Sequence, residues 1–208
     1  VRYADASGFT RIDNIHDKAN AKRTYIRTRV GADGYLYQGN GLAEAESHIP
    51  NADGVLDYEY DFQLLFLRPC SVKEGGTCSV KDDDGAPNPT LVSLQLQSDG
   101  SVTQVALVDN VEQMQFEYGL DTDGDAVVDA YQKASSVGDW NKVIFIRASI
   151  IARGDALDHY IDTKTYYMPS GFCYGPKSSN CSAKYTGHER YQRRLVVKDI
   201  QIRNRTRQ

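Results

Sequence analysis

The sequence predicts a sheet-dominated fold of antiparallel strands, and three observations carry that reading. Residues 91–97 and 113–118 alternate apolar and polar side chains with the period of two that a half-buried strand requires. Asp99-Gly100 follows the first of these runs as a hairpin turn, which makes the strands on either side of it antiparallel. No long helical repeat, nucleotide-binding glycine loop or low-complexity tract interrupts the pattern. At 208 residues with 40% apolar side chains, the chain is long enough for one generous domain with a real core. It is read as a single globular domain, loop-rich over residues 1–56 and strand-rich over 57–208.

Residues 1–30 admit two readings. Ile12, Ile15, Ala19 and Ile26 make a short helical stripe, or Gly8, Asp13-Asn14 and Lys22-Arg23 make a surface loop with one helical turn. From 31 to 54, glycine, asparagine and aspartate recur too densely for a long regular element, which leaves loop with a short strand at Tyr35–Gln38. Residues 57–68 read as one strand, with Tyr58, Tyr60, Phe62, Leu64 and Phe66 on the core face and Asp57, Glu59, Asp61 and Gln63 outward. The acids, glycine and prolines of residues 81–89 spell an exposed turn, in which a solvated Asp82–Asp84 run is favoured over a cation site.

Val92, Leu94 and Leu96 then face the core against Ser93, Gln95 and Gln97, and the turn leads into a strand over 101–108. In the next strand Met114, Phe116 and Tyr118 oppose Gln113, Gln115 and Glu117. Residues 141–153 form the most apolar strand, with Ile144, Ile146, Ala148, Ile150 and Ala152 inward and Arg147, Ser149 and Arg153 outward. A short strand at 166–168 and a final one at 193–203 complete the sheet.

Four cysteines form two matching pairs, Cys70/Cys78 and Cys173/Cys181, each enclosing seven residues. Neither pair has zinc-knuckle spacing, and no histidine stands ready to complete a tetrahedral site. Disulfides are the better reading. Three connectivities are possible, and the repeated short spacing favours two local loops, each contributing about 2–3 kcal/mol by loop entropy. An oxidising compartment follows. No secretory signal and no apolar run of membrane-spanning length is present, so an export element is expected outside this sequence.

Asp121, Asp123, Asp125 and Asp129 place four carboxylates within nine residues, and their mutual repulsion calls for a cation or full solvation. Numbered as an EF-hand loop, Asp121, Asp123 and Asp125 take the first, third and fifth positions, the Val127 carbonyl the seventh and Asp129 the ninth. Calcium is the expected ion, in a structural role that ties the strand ending at Tyr118 to the one starting near Asn141; magnesium demands stricter geometry. Two departures weaken the match: Ala126 stands where glycine permits a sharp turn, and Gln132 where a bidentate glutamate closes the site. The expected affinity is therefore roughly 10⁻⁴ to 10⁻³ M. The rival reading is a polar hairpin loop without an ion.

Enzymatic readings find little support. His16, His48, His159 and His188 are scattered, with no His-Glu-x-x-His spacing and no Gly-x-Ser-x-Gly elbow. Glu44, Glu46 and His48 read as a solvated loop rather than a metal site. A formal charge of −4 argues against a dedicated nucleic-acid binder, but the C-terminal stretch is locally basic. Arg190, Arg193, Arg194, Lys198, Arg203, Arg205 and Arg207 offer a nucleic-acid or partner contact, or else pair with acids on neighbouring strands, the favoured alternative. The 14 tyrosines fit half-buried strands better than a sugar platform.

The order of features resembles the PilW-type minor pilins of bacterial type IV pili. The resemblance rests on NVEQMQFEYGLDTDGDAVVDAY at 110–131, Trp140 ahead of VIFIRASIIAR at 143–153, and RYQRRLVVKDIQIRNR at 190–205. It implies an α+β, pilin-like headgroup in which a hydrophobic N-terminal helix packs on an antiparallel sheet with long disulfide-bonded loops. That helix anchors such proteins in the inner membrane before assembly and packs in the filament core afterwards; VRYADASGF at 1–9 resembles the segment just past it, so the chain is expected to be the head without most of the helix. The function implied is non-enzymatic: contact with other minor pilins in a complex that primes pilus assembly and sits at the tip, where it holds an adhesin. The location implied is the periplasm and pilus tip, with no small-molecule substrate. The alternatives are a pseudopilin of a related secretion system, or a free-standing extracytoplasmic module that binds DNA or a surface ligand.

Overall fold

The computed structural model describes residues 15–29, 34–73, 75–97 and 99–202, which fall into two compact units. Strands dominate both, as expected for a sheet-dominated α+β fold.

The first unit takes the described residues through Phe66 together with Val92–Leu107. A single turn, α1 (Ile15–Lys18), precedes β1 (Thr24–Arg29), β2 (Tyr35–Gln38), α2 (Leu42–His48) and β3 (Val55–Glu59). The strands pair antiparallel in the order β2-β1-β3. Ile15, Tyr25, Tyr37 and Ala45 form the core, with the Tyr25 and Tyr37 rings stacked at 5.5 Å. Burying an isoleucine in this way contributes about 1.5–3 kcal/mol.

Four expectations need correction here. Of the two readings of residues 1–30, the single helical turn is present at Ile15–Lys18 and the stripe is not, because Ile26 lies on a strand; Ile12 lies outside the described residues. Residues 42–48, expected as loop, form α2, a seven-residue helix that buries only Ala45 and so leaves little apolar periodicity to read. Residues 57–68 are not one strand: β3 ends at Glu59, and β4 (Gln63–Arg68) joins a different sheet. Asp57, expected outward, is buried because Arg27 beneath it needs a counter-charge.

β4 pairs with β5 (Thr90–Leu96), and β5 with β6 (Val102–Asp109). The turn between β5 and β6 falls at Asp99-Gly100 as the sequence predicts. Gly100 has φ +80°, and a Cβ there would meet the Lys22 carbonyl at 2.5 Å, so only glycine fits.

The second unit comprises Leu67–Leu91 and the described residues from Val108 on. Its strands are β7 (Val111–Leu120), β8 (Ala130–Gln132), β9 (Val143–Ala156), β10 (Tyr166–Tyr167), β11 (Cys173–Gly175), β12 (Ala183–Lys184) and β13 (Tyr191–Gln201). The main sheet is antiparallel, in the order β13-β9-β7-β8. The short strands form a second sheet, β10-β11-β12. Cys70 pairs with Cys78 and Cys173 with Cys181, the two local loops.

The register fixes two faces of the main sheet. One carries the rows Gln113–Ile151–Leu195, Gln115–Ser149–Val197 and Glu117–Arg147–Asp199. Ile151 joins Met168, Tyr174 and Tyr185 in the core on this side, with Phe172 and Leu195 packed against them. The sequence reading of β9 holds at Ile144, which is buried, and fails beyond it: Ser149 and Arg153, expected outward, are buried, whereas Ile146, Ala148, Ile150 and Ala152 are only half-buried. Arg153 is buried as paired charge, since it donates to the Pro87 carbonyl at 2.9 Å and lies beside Glu112.

The turn at residues 81–89 also differs from expectation. Asp82 is buried and accepts from the Ser79 N–H at 2.5 Å, so the run is not simply solvated. Asp83, at φ +52°, accepts from the N–H groups of Ser71, Val72 and Asn88 and from the Ser71 hydroxyl. Its carboxylate thereby holds one end of the first disulfide loop.

Candidate functional site

The opposite face of the main sheet is a largely apolar surface. Three rows cross β7, β9 and β13: Met114–Ile150–Val196, Phe116–Ala148–Lys198 and Tyr118–Ile146–Ile200. Strand alternation puts these side chains on one side because every second Cβ points the same way. None of the nine is buried; Val196 and Ile200 are 46% and 52% exposed. Trp140 packs edge-on against Tyr118 at 4.8 Å and borders the surface at one end. Eight of the nine side chains are apolar, with Lys198 alone on the β13 edge. Such a surface is larger than scattered exposed residues make, and it suits an apolar partner.

The aspartate loop joins β7 to β8. Carboxylate oxygens of Asp121, Asp123 and Asp129 all lie within 4.8 Å of one another. Asp121 accepts from the N–H groups of Gly124 at 2.6 Å and Ala126 at 2.9 Å, which folds the loop back over its first residue. Ala126 takes φ +65°, so position 126 itself turns sharply without glycine, two residues after Gly124 at φ +88°. Hydrogen bonds from the Thr122 hydroxyl and N–H hold the Asp129 carboxyl below the usual carboxylate range. Asp125 stands apart from the three: its Oδ1 accepts from the Val127 N–H at 2.8 Å. Three of the five expected ligands therefore converge as side chains, an oxygen set that fits a hard divalent cation.

The basic C-terminal residues divide. Arg193 is buried, donating to Glu112 at 2.6 and 3.0 Å and to Asp162 at 3.3 Å, so it offers nothing to a phosphate. This corrects its expected place in a surface contact. Arg190 lies beside Asp158 at 3.7 Å, and Arg194 is exposed. Arg203, Arg205 and Arg207 lie outside the described residues.

Arg193 thus pairs with acids of other strands, the alternative favoured from the sequence, but its particular partners were not named there. Arg153 and Arg193 face Glu112 and Asp162, with Arg193 also over the Tyr185 ring at 3.9 Å. Burial, reinforced by Asp162, pushes the Tyr185 hydroxyl up to about 12. No local spacing signals this cluster, because its members come from β7, β9, β13 and the loop before β10. On the same face, Arg147 makes a bidentate contact with Asp199 at 2.7 and 2.9 Å, and hydrogen bonding to that guanidinium lowers the Asp199 pKa.

Glu44, Glu46 and His48 do not converge. Glu44 accepts from the Tyr35 hydroxyl at 3.0 Å, Glu46 pairs with His16 at 2.8 Å, and His48 stacks on Tyr35. Among the described residues no helix is long and apolar enough to cross a membrane.

No curated protein and no solved structure matches the chain. The family model described as Type IV Pilus-assembly protein W matches residues 77–204, which include β7 with its aspartate loop, β9, both strands' apolar rows and β13. That match covers more than half of the sequence, and the protein belongs to the PilW family of type IV pilus-assembly components.

Proposed function

We propose that the protein is the head of a minor pilin, a structural subunit of the complex that primes type IV pilus assembly and sits at the pilus tip. It acts by protein–protein contact, with other minor pilins and a tip adhesin as its partners. The observation that carries this reading is the apolar surface of β7, β9 and β13, whose three rows form a stripe along which an apolar helix can lie. The helix that fits is the hydrophobic N-terminal helix that the family resemblance implies, and in this reading the head lies outside the inner membrane before assembly. Calcium at Asp121, Asp123 and Asp129 has a structural role in this reading, fixing the β7–β8 connection.

The test is complementation of a strain lacking the gene with the complete gene product. Ile150→Glu puts a charge between Met114 and Val196, and it should abolish surface pili while the protein is still made with both disulfides. Val197→Glu, on the other face of the same strand pair, should leave pili intact. Normal piliation with Ile150→Glu would sink the proposal.

A further inference from the structure

We propose that the cleft between β7 and the second disulfide loop is a binding site for an acidic saccharide, one or two hydroxyl-rich rings bearing a carboxylate. β8 covers β7 only at Tyr118–Leu120, and past Gln132 the chain turns away through a short helical turn at Ala134–Ser136. The space left beside β7 has a volume of about 660 Å³ and is walled by residues 115–116, 133–135, 171–173, 180 and 182, all within the second unit. That is room for a ligand of disaccharide size. The disulfide between Cys173 and Cys181 joins two of the walls, and Phe172 packs against the core formed by Ile151, Met168, Tyr174 and Tyr185. The site is therefore held in shape before a ligand arrives, which lowers the cost of binding.

The chemistry of the walls selects the ligand. The side chains of Gln115, Ser135, Asn180 and Ser182 hydrogen-bond to no other described residue. Gln115 does not turn to its cross-strand neighbour either, since the Ser149 hydroxyl is buried without a partner among the described residues. Each of these amides and hydroxyls both donates and accepts. A sugar hydroxyl does both at one atom and meets such groups from any side, whereas the N–H and C=O groups of a peptide point in fixed directions. A simple anion only accepts, and would leave the wall oxygens unpaired. Lys133 is the only charged residue in the walls and makes no ion pair among the described residues, so it matches one carboxylate and repels a cation. Phe116 and Phe172 add aromatic surface, whose negative ring faces attract the C–H side of a sugar ring. Phe116 is the one residue shared with the apolar face, and the inference does not depend on the pilus reading.

NMR titration of the isotope-labelled protein in calcium-free buffer tests it. The probe is sodium cellobiouronate, a disaccharide with one carboxylate, and the control is cellobiose, in which a hydroxymethyl group replaces that carboxylate. Backbone amide signals of residues 115–116, 133–135, 171–173 and 180–182 should shift saturably with cellobiouronate, with a Kd of about 1 mM or tighter. Lys133→Gln should weaken cellobiouronate about tenfold and leave cellobiose unchanged. Ser135→Trp, which fills the cleft from an exposed position, should abolish binding of both while its remaining signals show that it is folded. No saturable shift at these residues overturns the proposal, and so does a Lys133→Gln protein that binds cellobiouronate like the wild type. Acetate bound as tightly as cellobiouronate would make this a simple anion site, and triglycine bound more tightly would make it a peptide site; either result overturns the proposal.

Discussion

Arg193 Nε donates to Glu112 Oε2 at 2.6 Å, joining two residues 81 positions apart and withdrawing the guanidinium from solvent. Burial alone would lower the Arg193 pKa, but the hydrogen bonds and charges of Glu112 and Asp162 outweigh it and raise the value. The pair locks β13 to the far side of β7 across β9. Arg193→Ala leaves buried Asp162 without its counter-charge and Glu112 with Arg153 alone, at 3.6 Å, and should destabilise the protein by about 3–5 kcal/mol in urea unfolding. Arg194→Ala, one residue on and exposed, should stay within about 0.5 kcal/mol of wild type. Equal effects from the two would remove Arg193 from its structural role.

A second buried pair makes a parallel prediction in the first unit. Arg27 donates to Asp57 at 2.6 Å and to the Ile49 carbonyl at 2.8 Å, and the Tyr37 hydroxyl donates to the same aspartate at 2.9 Å. Asp57→Ala strands the guanidinium and should also lower stability by about 3–5 kcal/mol. Loss of less than about 1 kcal/mol would mean that the pocket admits water to the arginine.

These pairs show where sequence reading stops. Period-two alternation located β5, β7, β9 and β13, because it is written locally into each strand. It misjudged the faces of β9, since a run with Ile146, Ala148 and Ile150 on one side and Arg147, Ser149 and Arg153 on the other argues for an apolar core face. The charges that neutralise Arg153 lie in distant strands, and only the register reveals them. Residues 57–68 failed for a related reason: alternation continues through Tyr60 and Phe62, although the backbone changes sheet there. The aspartate loop was legible because its ligands are close in sequence, and even so Ala126 adopts the turn that its identity argued against.

Asp83 predicts a pH dependence. Burial would raise its pKa, but hydrogen bonds from Asn88, Ser71 and Val72 outweigh it and hold the carboxyl well below its ordinary range. A group depressed in the folded state contributes stability that is present above its unfolded pKa of about 4 and is lost as pH falls below it. The stability difference between wild type and Asp83→Asn should therefore be constant from neutral pH down to about 5 and shrink below about 4. A difference that grew on acidification would contradict the assignment.

The calcium proposal predicts binding in the roughly 10⁻⁴ to 10⁻³ M range by isothermal titration. At ten times that dissociation constant the protein should gain about 1.4 kcal/mol of stability. Asp123→Asn should abolish the gain, since among the described residues Asp123 accepts only from the Asp125 N–H and has little other structural duty. No heat and no stabilisation at millimolar calcium would leave the loop as a hydrogen-bonded turn.

The account turns on what lies against Met114, Ile150 and Val196. A photo-crosslinking amino acid at Ile150, in the complete gene product expressed in piliated cells, reads this directly by mass spectrometry of the adducts. The account predicts cross-links to an apolar helix of a pilus subunit, its own or a neighbour's, and none of that kind from the same probe at Val197 on the other face. Cross-links from Ile150 that never reach such a helix would contradict it.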